Sequence, residues 1–421
     1  MAANEENSRV LILGGTGFIG RNLVHYLVSN NLASKVRVAD KVPPQMAWMN
    51  KIHKDVFASP VVEFKHSNLI NPASVSSVFT DESGNYDFVI NLAAETKYGQ
   101  SDNVYREGIV RLGMNCAEEA ARRNVKLYIE ISSGQMYSSD KKPANEDLKP
   151  DPWTHVAKYK LQVENQLSHV TGLKYRVIRP AIVYGVGDKC ALGPRIIIGA
   201  IYKYIRQRMK LLWTKELKMN TIHVDDLCKA ICHLFTHGES GQVYHCVDKG
   251  HTNQGQISEL VAQIFGISYE FLGSIKSNLA RMNMTSVVED INDKHMAPWA
   301  EACTRDGIKN TPLNPFLDQE LLYNKHIHLD GSKLEETGFT CDHPYLEITQ
   351  LKQVLDDYIN MGLFPQTLLS GETNLKNRLE DLDLENDLDL ENDLGLENDL
   401  ENGNVEELQE EIKKVHLDNG S

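Results

Sequence analysis

The sequence predicts an α/β fold: a doubly wound parallel sheet, a smaller and looser region after it, and an acidic tail. Three observations predict it. Short runs before residue 180 are apolar throughout, helical spacing of apolar residues separates them, and a glycine-rich turn joins the first run to the first helix. Strands apolar on both sides are what a parallel sheet covered by helices requires. Right-handed crossovers then wind the sheet in both directions.

Arg9-Val-Leu-Ile-Leu13 reads as the buried first strand, and Ile19, Leu23 and Leu27 then recur at helical spacing. Lys35-Val-Arg-Val-Ala39 is the second strand, residues 61–64 a weaker third, and Asp87-Phe-Val-Ile-Asn91 the fourth. A helix over 104–123 leads into Lys126-Leu-Tyr-Ile-Glu-Ile131, and one over 154–171 precedes Tyr175-Arg-Val-Ile-Arg179. Beyond residue 180 the alternation loosens. Helices are expected over 194–204, 224–235, 256–265 and 345–361, and residues 275–325 read as irregular, interrupted by Pro298, Pro312 and Pro315. The resulting division is a nucleotide-binding core over 1–185, a substrate region over 186–365 interleaved with the end of the sheet, and a low-complexity tail over 366–421.

The chain has 421 residues, 41% of them hydrophobic, and a net charge of −14. Residues 371–421 hold 17 acidic and 4 basic side chains, leaving 41 acids against 40 bases in the rest. The body is close to neutral, and nothing in it argues for nucleic acid. No run approaches the ~20 apolar residues of a membrane span, and the polar N-terminus resembles no secretory or mitochondrial leader. Seven cysteines, an odd number, suit a reducing, cytoplasmic compartment. Cys228 and Cys232, one helical turn apart, read as small core residues. The tail repeats Leu-Glu-Asn-Asp and reads as solvated and disordered, with a short helix on Val405, Leu408, Ile412 and Val415 that is free to contact a protein partner. Its Asp389-x-Glu391-x-Asp393-x-Gly395 places glycine one position late for a calcium loop, so no metal is expected.

Gly14-Gly15-Thr16-Gly17-Phe18-Ile19-Gly20 follows a buried strand and opens a helix. Gly14 permits the turn, Gly17 lets a pyrophosphate approach the backbone, and Gly20 lets helix and strand pack; the free N–H groups of the helix start then face phosphate. Asp40 follows at the end of the next strand, at the interval from Gly20 that a ribose-binding acid keeps. A carboxylate there accepts both ribose hydroxyls and repels a 2′-phosphate, which favours NAD over NADP, with Lys41 softening the preference.

With these residues in place, the chain over 8–360 resembles the extended short-chain dehydrogenase/reductases, the NAD-dependent epimerases and dehydratases. The resemblance rests on the glycine turn, Asn91-Leu-Ala-Ala94, Ser132-Ser-Gly-Gln-Met-Tyr137, Lys160-Leu-Gln-Val-Glu164, Arg179-Pro-Ala-Ile-Val-Tyr-Gly185, Ile222-His-Val-Asp-Asp226 and Leu329-Asp-Gly-Ser-Lys333. It implies a Rossmann fold. It also implies cofactor contacts from Thr16, Phe18, Ile19, Leu69, Leu92, Ala93, Ala94, Lys160 and Tyr184, with Asn68 standing where relatives carry an acid toward adenine. Homodimers of the family form through helices flanking the lysine segment.

Catalysis in the family pairs a serine or threonine with Tyr-x-x-x-Lys. Ser133 and Lys160 match the serine and the lysine, but Val156 stands where the tyrosine is due, and a valine carries no proton. Tyr159 and His155 are out of phase with Lys160 on the helix. The family's helix asparagine is missing from Glu107-Gly-Ile-Val110. Gly134 and Gln135 replace the Asp-Glu pair of dehydratases, and Met219 replaces the arginine that clamps a substrate diphosphate in epimerases, four positions before His223. His223 is expected to pack in the core and anchor Asp225 or Asp226. Arg195, Lys203, Arg206 and Arg208 read as a solvated face, with an anion site as the alternative. Two readings of function stay open. One is an NAD-dependent oxidoreductase or epimerase acting on a small carbonyl, hydroxyl or nucleotide-sugar substrate, with Tyr137, Lys158 or the substrate carrying the proton. The other is a non-catalytic NAD-binding scaffold or redox sensor.

Overall fold

The computed structural model describes residues 8–370. The tail repeat, the helix expected around Val405 and the Asp389 to Gly395 spacing lie outside the described residues. Eleven strands are named among the described residues: β1 (Arg9–Leu13), β2 (Lys35–Asp40), β3 (Val62–His66), β4 (Phe88–Asn91), β5 (Leu127–Ile131), β6 (Tyr175–Pro180), β7 (Ile182–Tyr184), β8 (Met209–Leu211), β9 (Thr221–His223), β10 (Val243–Cys246) and β11 (Tyr269–Phe271). The helices of the first half are α1 (Phe18–Ser29), α2 (Lys51–Phe57), α3 (Pro72–Phe79), α4 (Asp102–Tyr105), α5 (Leu112–Arg122) and α6 (His155–Leu167). Those of the second half are α7 (Gly193–Ile205), α8 (Val224–His233), α9 (Gln254–Phe265), α10 (Gly273–Met282), α11 (Met284–Arg305), α12 (Ser332–Glu335), α13 (Ile348–Asn360) and α14 (Thr367–Ser370).

Seven strands form one parallel sheet in the order β3-β2-β1-β4-β5-β6-β10. The order reverses between β1 and β4, and the loops leaving these two strands part to open a crevice, the usual ligand position of a doubly wound sheet. Strand alternation explains the two covered faces. Val10 and Ile12 of β1 pack into the cluster that holds Leu23 and Val24 of α1 and Leu227 and Ile231 of α8. Leu11 and Leu13 point the other way, into the cluster holding Val75 of α3, Cys116 of α5 and Val163 of α6. All four of these β1 residues are fully buried.

A third cluster joins α7, α9, α11 and α13 through Ile197, Val261, Trp299 and Leu355. α7 begins on a built cap: the buried Asp188 carboxylate accepts backbone N–H groups from Cys190, Ala191, Leu192 and Gly193 at 2.9, 2.8, 2.8 and 3.1 Å. Short parallel pairs, β7 with β9 and β8 with β11, tie this part together. Cys228 and Cys232 are both buried in the α1–α8 cluster.

Two expectations need correction. Residues 275–325 are not irregular throughout, because α10 and α11 carry helix as far as Arg305. Pro298 sits inside α11, and the burial of Val287, Val288, Trp299, Ala302 and Cys303 along one side of that helix outweighs the lost hydrogen bond. The helix expected over 104–123 is also broken in type. Between α4 and α5 the turn widens into a π-helical segment, Arg106–Arg111. No helix among the described residues is long and apolar enough to cross a membrane.

Candidate active site

The phosphate turn is built as its glycines require. Gly14 has φ +79°, and a Cβ there would lie 2.6 Å from the Ala93 nitrogen, so the turn presses against the segment leaving β4. A Cβ on Gly20 would lie 2.4 Å from the Gly15 Cα. Gly17 differs, since its exposed side meets only the Gly14 carbonyl at 3.2 Å, which leaves a cradle that a larger residue would fill. The Asp40 carboxylate braces this turn. It accepts from Thr16 N at 3.2 Å and Val42 N at 3.0 Å, and the Thr16 hydroxyl donates to the Val42 carbonyl at 3.0 Å. Phe18 and Ile19 are half-buried at the start of α1. An open cradle, helix N–H groups and an acid on the second strand fit the pyrophosphate and ribose of NAD.

One charged residue here carries almost no sequence signal. Arg21 is buried under the turn, donating to the Gly17 carbonyl at 3.1 Å and the Trp48 carbonyl at 2.8 Å. Burial pulls its pKa down to about 10, partly offset by Asp357 and Asp40. The i, i+4 spacing from Gly17 is the one hint of it in the sequence.

At the rim, Asn68 is exposed and accepts from Ile70 N at 3.2 Å, with Leu69 buried behind it. Leu92, Ala93 and Ala94 are half-buried along the β4 exit, and Asn91 accepts from Ala93 N at 3.1 Å. Tyr184 is fully buried, and its phenol donates to Gln350 at 2.9 Å. Its side chain is therefore closed to a cofactor, leaving only the backbone of that segment for contact.

Lys160 is more deeply committed than the resemblance implies. Its ammonium donates to the Ile131 carbonyl at 2.5 Å and lies 3.9 Å from Glu130. Glu130 is buried inside β5 and accepts from Asn91 at 2.8 Å and Tyr128 at 3.0 Å. Desolvation lowers the lysine's pKa and raises the glutamate's, each opposed by the other's charge. The charge in Leu-Tyr-Ile-Glu-Ile is the visible sign of this pair. A second buried pair lies below the serine loop: Glu164 takes Arg179 at 3.1 and 2.5 Å, bonds the Ser132 hydroxyl, and Arg179 reaches the Tyr137 phenol.

Val156 is buried among the apolar residues of the α3–α5–α6 face. The other groups that could stand in for the missing tyrosine are engaged elsewhere or exposed. Tyr137 is locked on Arg179, Lys158 is exposed, and Tyr159 stacks on Tyr105 at 5.5 Å. His155 stacks on Tyr105 at 5.9 Å and bonds Glu320 at 3.0 Å.

Ser133 accepts from Gln135 N at 3.1 Å. The Gln135 side chain meets Tyr98, a residue with no sequence signal, whose Oη accepts from Nε2 at 3.2 Å. Thr154 fixes the same amide by donating to its Oε1 at 2.8 Å. Arg195 corrects the expectation of a solvated face. Its guanidinium meets the sulfur of Met219 at 3.5 Å and has no carboxylate partner among the described residues, and burial pulls its pKa down to about 10. Lys203 is half-buried, Arg206 and Arg208 are exposed, and Arg208 pairs with Glu270 at 2.9 Å.

His223 caps α8, accepting from Asp225 N at 3.3 Å, and burial brings its pKa to about 4. With Asp225 and His343 it forms a group whose donor atoms lie within 4.8 Å of one another. The two imidazole centroids lie 4.1 Å apart with a 32° tilt between the rings.

Comparison places this site in a class. Residues 10–247 match the NAD dependent epimerase/dehydratase family, and the chain belongs to that family. NAD is the cofactor its cleft is shaped for. Among particular relatives, a dTDP-glucose 4,6-dehydratase of Streptomyces antibioticus is 24% identical over 282 residues, covering 63% of this chain and 80% of that protein. Two solved structures share the fold. A Thermus thermophilus UDP-glucose 4-epimerase in complex with NAD superposes with TM-score 0.59 at 19% identity, over 83% of this chain and 99% of that one. A DesIV double mutant (dTDP-glucose 4,6-dehydratase) of Streptomyces venezuelae, with NAD and DAU bound, gives 0.61 at 19% identity over 85% and 99%.

Proposed function

We propose that this protein is an NAD-dependent oxidoreductase acting at a hydroxyl-bearing carbon of a nucleotide sugar, as an epimerase or ketoreductase rather than a dehydratase. The observation that carries the substrate class is Arg195. A desolvated guanidinium with no counter-ion is costly to keep, and a phosphate from the substrate offsets that cost with charge-assisted bonds. It stands against Met219, the position where an arginine clamps diphosphate in the family pattern, so α7 supplies the cation that the β9 approach lacks. The named relatives carry dTDP and UDP sugars in their own descriptions.

The dehydratase alternative is disfavoured sterically as well as chemically. A Cβ on Gly134 would lie 2.6 Å from the Pro180 carbonyl, so no acid fits there, and Gln135 is an amide. When bound, NAD supplies the acceptor and donor of hydride. The chain's own part is to hold the ribose with Asp40, admit the pyrophosphate over Gly17, and orient the reacting oxygen with Ser133.

The test is turnover of a panel of nucleotide sugars by the full chain with NAD, followed by NMR of the sugar carbons. Arg195→Met is expected to raise KM about 100-fold with kcat changed only a few-fold, as loss of uniform substrate binding does. Turnover of simple ketones with no binding of nucleotide sugars overturns the substrate class. NAD binding with no turnover of anything returns the scaffold alternative.

A further inference from the structure

The oxidoreductase reading leaves a vacancy, because Val156 cannot move a proton. We propose that Tyr98 fills it: its phenol gives a proton to, and takes one from, the substrate oxygen that Ser133 orients. This inference rests on the reading above and adds the acid–base group.

Tyr98 lies on the loop leaving β4, and that loop is pinned on both sides of it. Glu95 N donates to the Gly108 carbonyl at 3.0 Å, and the Tyr105 hydroxyl donates to the Lys97 carbonyl at 2.8 Å while accepting from Gln100 N at 3.2 Å. At its tip the Tyr98 oxygen accepts from Gln135 Nε2 at 3.2 Å. Thr154, the residue that caps α6, donates to Gln135 Oε1 and so fixes which end of the amide faces the phenol. Oε1 is 3.5 Å from the phenol, too long to hold its proton firmly. Tyr98 is thus half-buried, with its oxygen anchored and its hydrogen held only by that long contact.

The same glutamine ties the phenol to the serine. Its backbone N–H donates to Ser133 Oγ at 3.1 Å, so one residue spaces the two hydroxyls. Tyr137 is bound to Arg179, Tyr159 is stacked on Tyr105, and Lys158 is exposed; His155, stacked on Tyr105 and bonded to Glu320, serves as the rival in the test. Burial raises the phenol's pKa most, the charges of Glu320, Asp318 and Cys190 add to it, and the Gln135 bond lowers it. Burial, the first cause, pushes Tyr98 up to about 12, so the free protein keeps the proton.

As the substrate carbonyl carbon gains a hydride from the reduced cofactor, its oxygen takes the Tyr98 proton, and the phenol becomes phenolate. In the opposite direction the alcohol oxygen returns its proton to the phenolate as its carbon gives up the hydride. An oxidation followed by a reduction on the other face begins and ends with the Tyr98 phenolate, the resting phenol having released its proton to solvent once NAD is bound.

The phenol can be read without any substrate. Absorbance near 295 nm is followed against pH for the wild-type chain and Tyr98→Phe, each with and without NAD; the difference isolates one phenol among 16 tyrosines. The positive charge of the NAD nicotinamide, if it seats beside the phenol, would bring the ionisation down by about two pH units. Tyr98→Phe should lack that step, keep its fold by circular dichroism, bind NAD within about two-fold by calorimetry, and lose ~10²-fold or more of nucleotide-sugar turnover. An ionisation that NAD does not move overturns the inference, as does loss of turnover in His155→Ala but not in Tyr98→Phe. Failure of the wild-type chain to bind NAD overturns the parent reading and this one together; NAD binding with an unmoved phenol overturns only this one.

Discussion

Replacing Glu164 by Gln should destabilise the protein far more than a change of one atom suggests. The carboxylate and Arg179 are 5% and 4% exposed, and the guanidinium bonds it at 3.1 and 2.5 Å. Glutamine keeps the volume but turns an NH₂ group toward a guanidinium and leaves a buried cation. Breaking a buried pair from one side costs about 3–5 kcal/mol. Glu146 lies close enough to Arg179 to raise its pKa and offsets part of the loss, so the lower figure, ~3 kcal/mol, applies. In a domain this size that is roughly 4 °C in Tm. Urea unfolding followed by circular dichroism gives the value from the midpoint and slope. The double variant Glu164→Met with Arg179→Met, which removes both charges, should cost about 2 kcal/mol less than the two single losses added together. A loss under ~1 kcal/mol in Glu164→Gln, or strict additivity in the cycle, would show that the pair is solvated in practice and would refute the reasoning.

Two further outcomes follow from the same structure. Asp40→Ala removes a carboxylate that braces Thr16 N and Val42 N and is placed for the ribose; calorimetry should show Kd for NAD raised about 10- to 100-fold and the gap to NADP narrowed, and an unchanged Kd removes Asp40 from the cofactor site. Asp248 is buried beside Thr221 and Gly250, and burial raises its pKa to about 6 from 3.8. A carboxyl raised in the folded state supports folding fully below pH 3.8 and loses that support as pH rises through about 6. Asp248→Asn should therefore gain up to about 3 kcal/mol relative to wild type between pH 4 and pH 7.5, read from melts at both values; equal differences at the two values would count against it.

How much of this can be read from the chain depends on the range of the interactions. The strands β1, β4 and β5 are legible because burial on both faces writes a nearly unbroken apolar run, as in Arg9–Leu13, whereas β3, half-buried over Val62–His66, is faint. β10 is not, since Val-Tyr-His-Cys at the sheet edge owes its place to pairing with the distant β6, in the register Val243↔Val177. α11 is hidden by Pro298, which carries more weight in a sequence than in a helix whose apolar side is already buried. The phosphate turn and Asp40 are legible because glycine spacing is local. Tyr98 with Gln135, and Arg195 with Met219, join segments far apart in the chain, and no local pattern marks either meeting. Glu130 is visible as a charge in a strand, but the motif around Lys160 points to a cofactor role and conceals that the two are partners.

The π-helical turn over Arg106–Arg111 inserts one residue's worth of extra winding between α4 and α5. Gly108 there turns its carbonyl out to hold Glu95, with no room for a Cβ, which would come within 2.9 Å of the Glu95 Cβ. Deleting a single residue from this coil would relax it to an ordinary helix, drawing the Gly108 carbonyl back into the helical ladder and releasing Glu95. The β4 exit loop would swing with it, carrying its phenol off the glutamine while the sheet stayed whole. A length change of one amino acid, far from any reacting atom, is thus a lever by which this architecture can be retuned to a different chemistry.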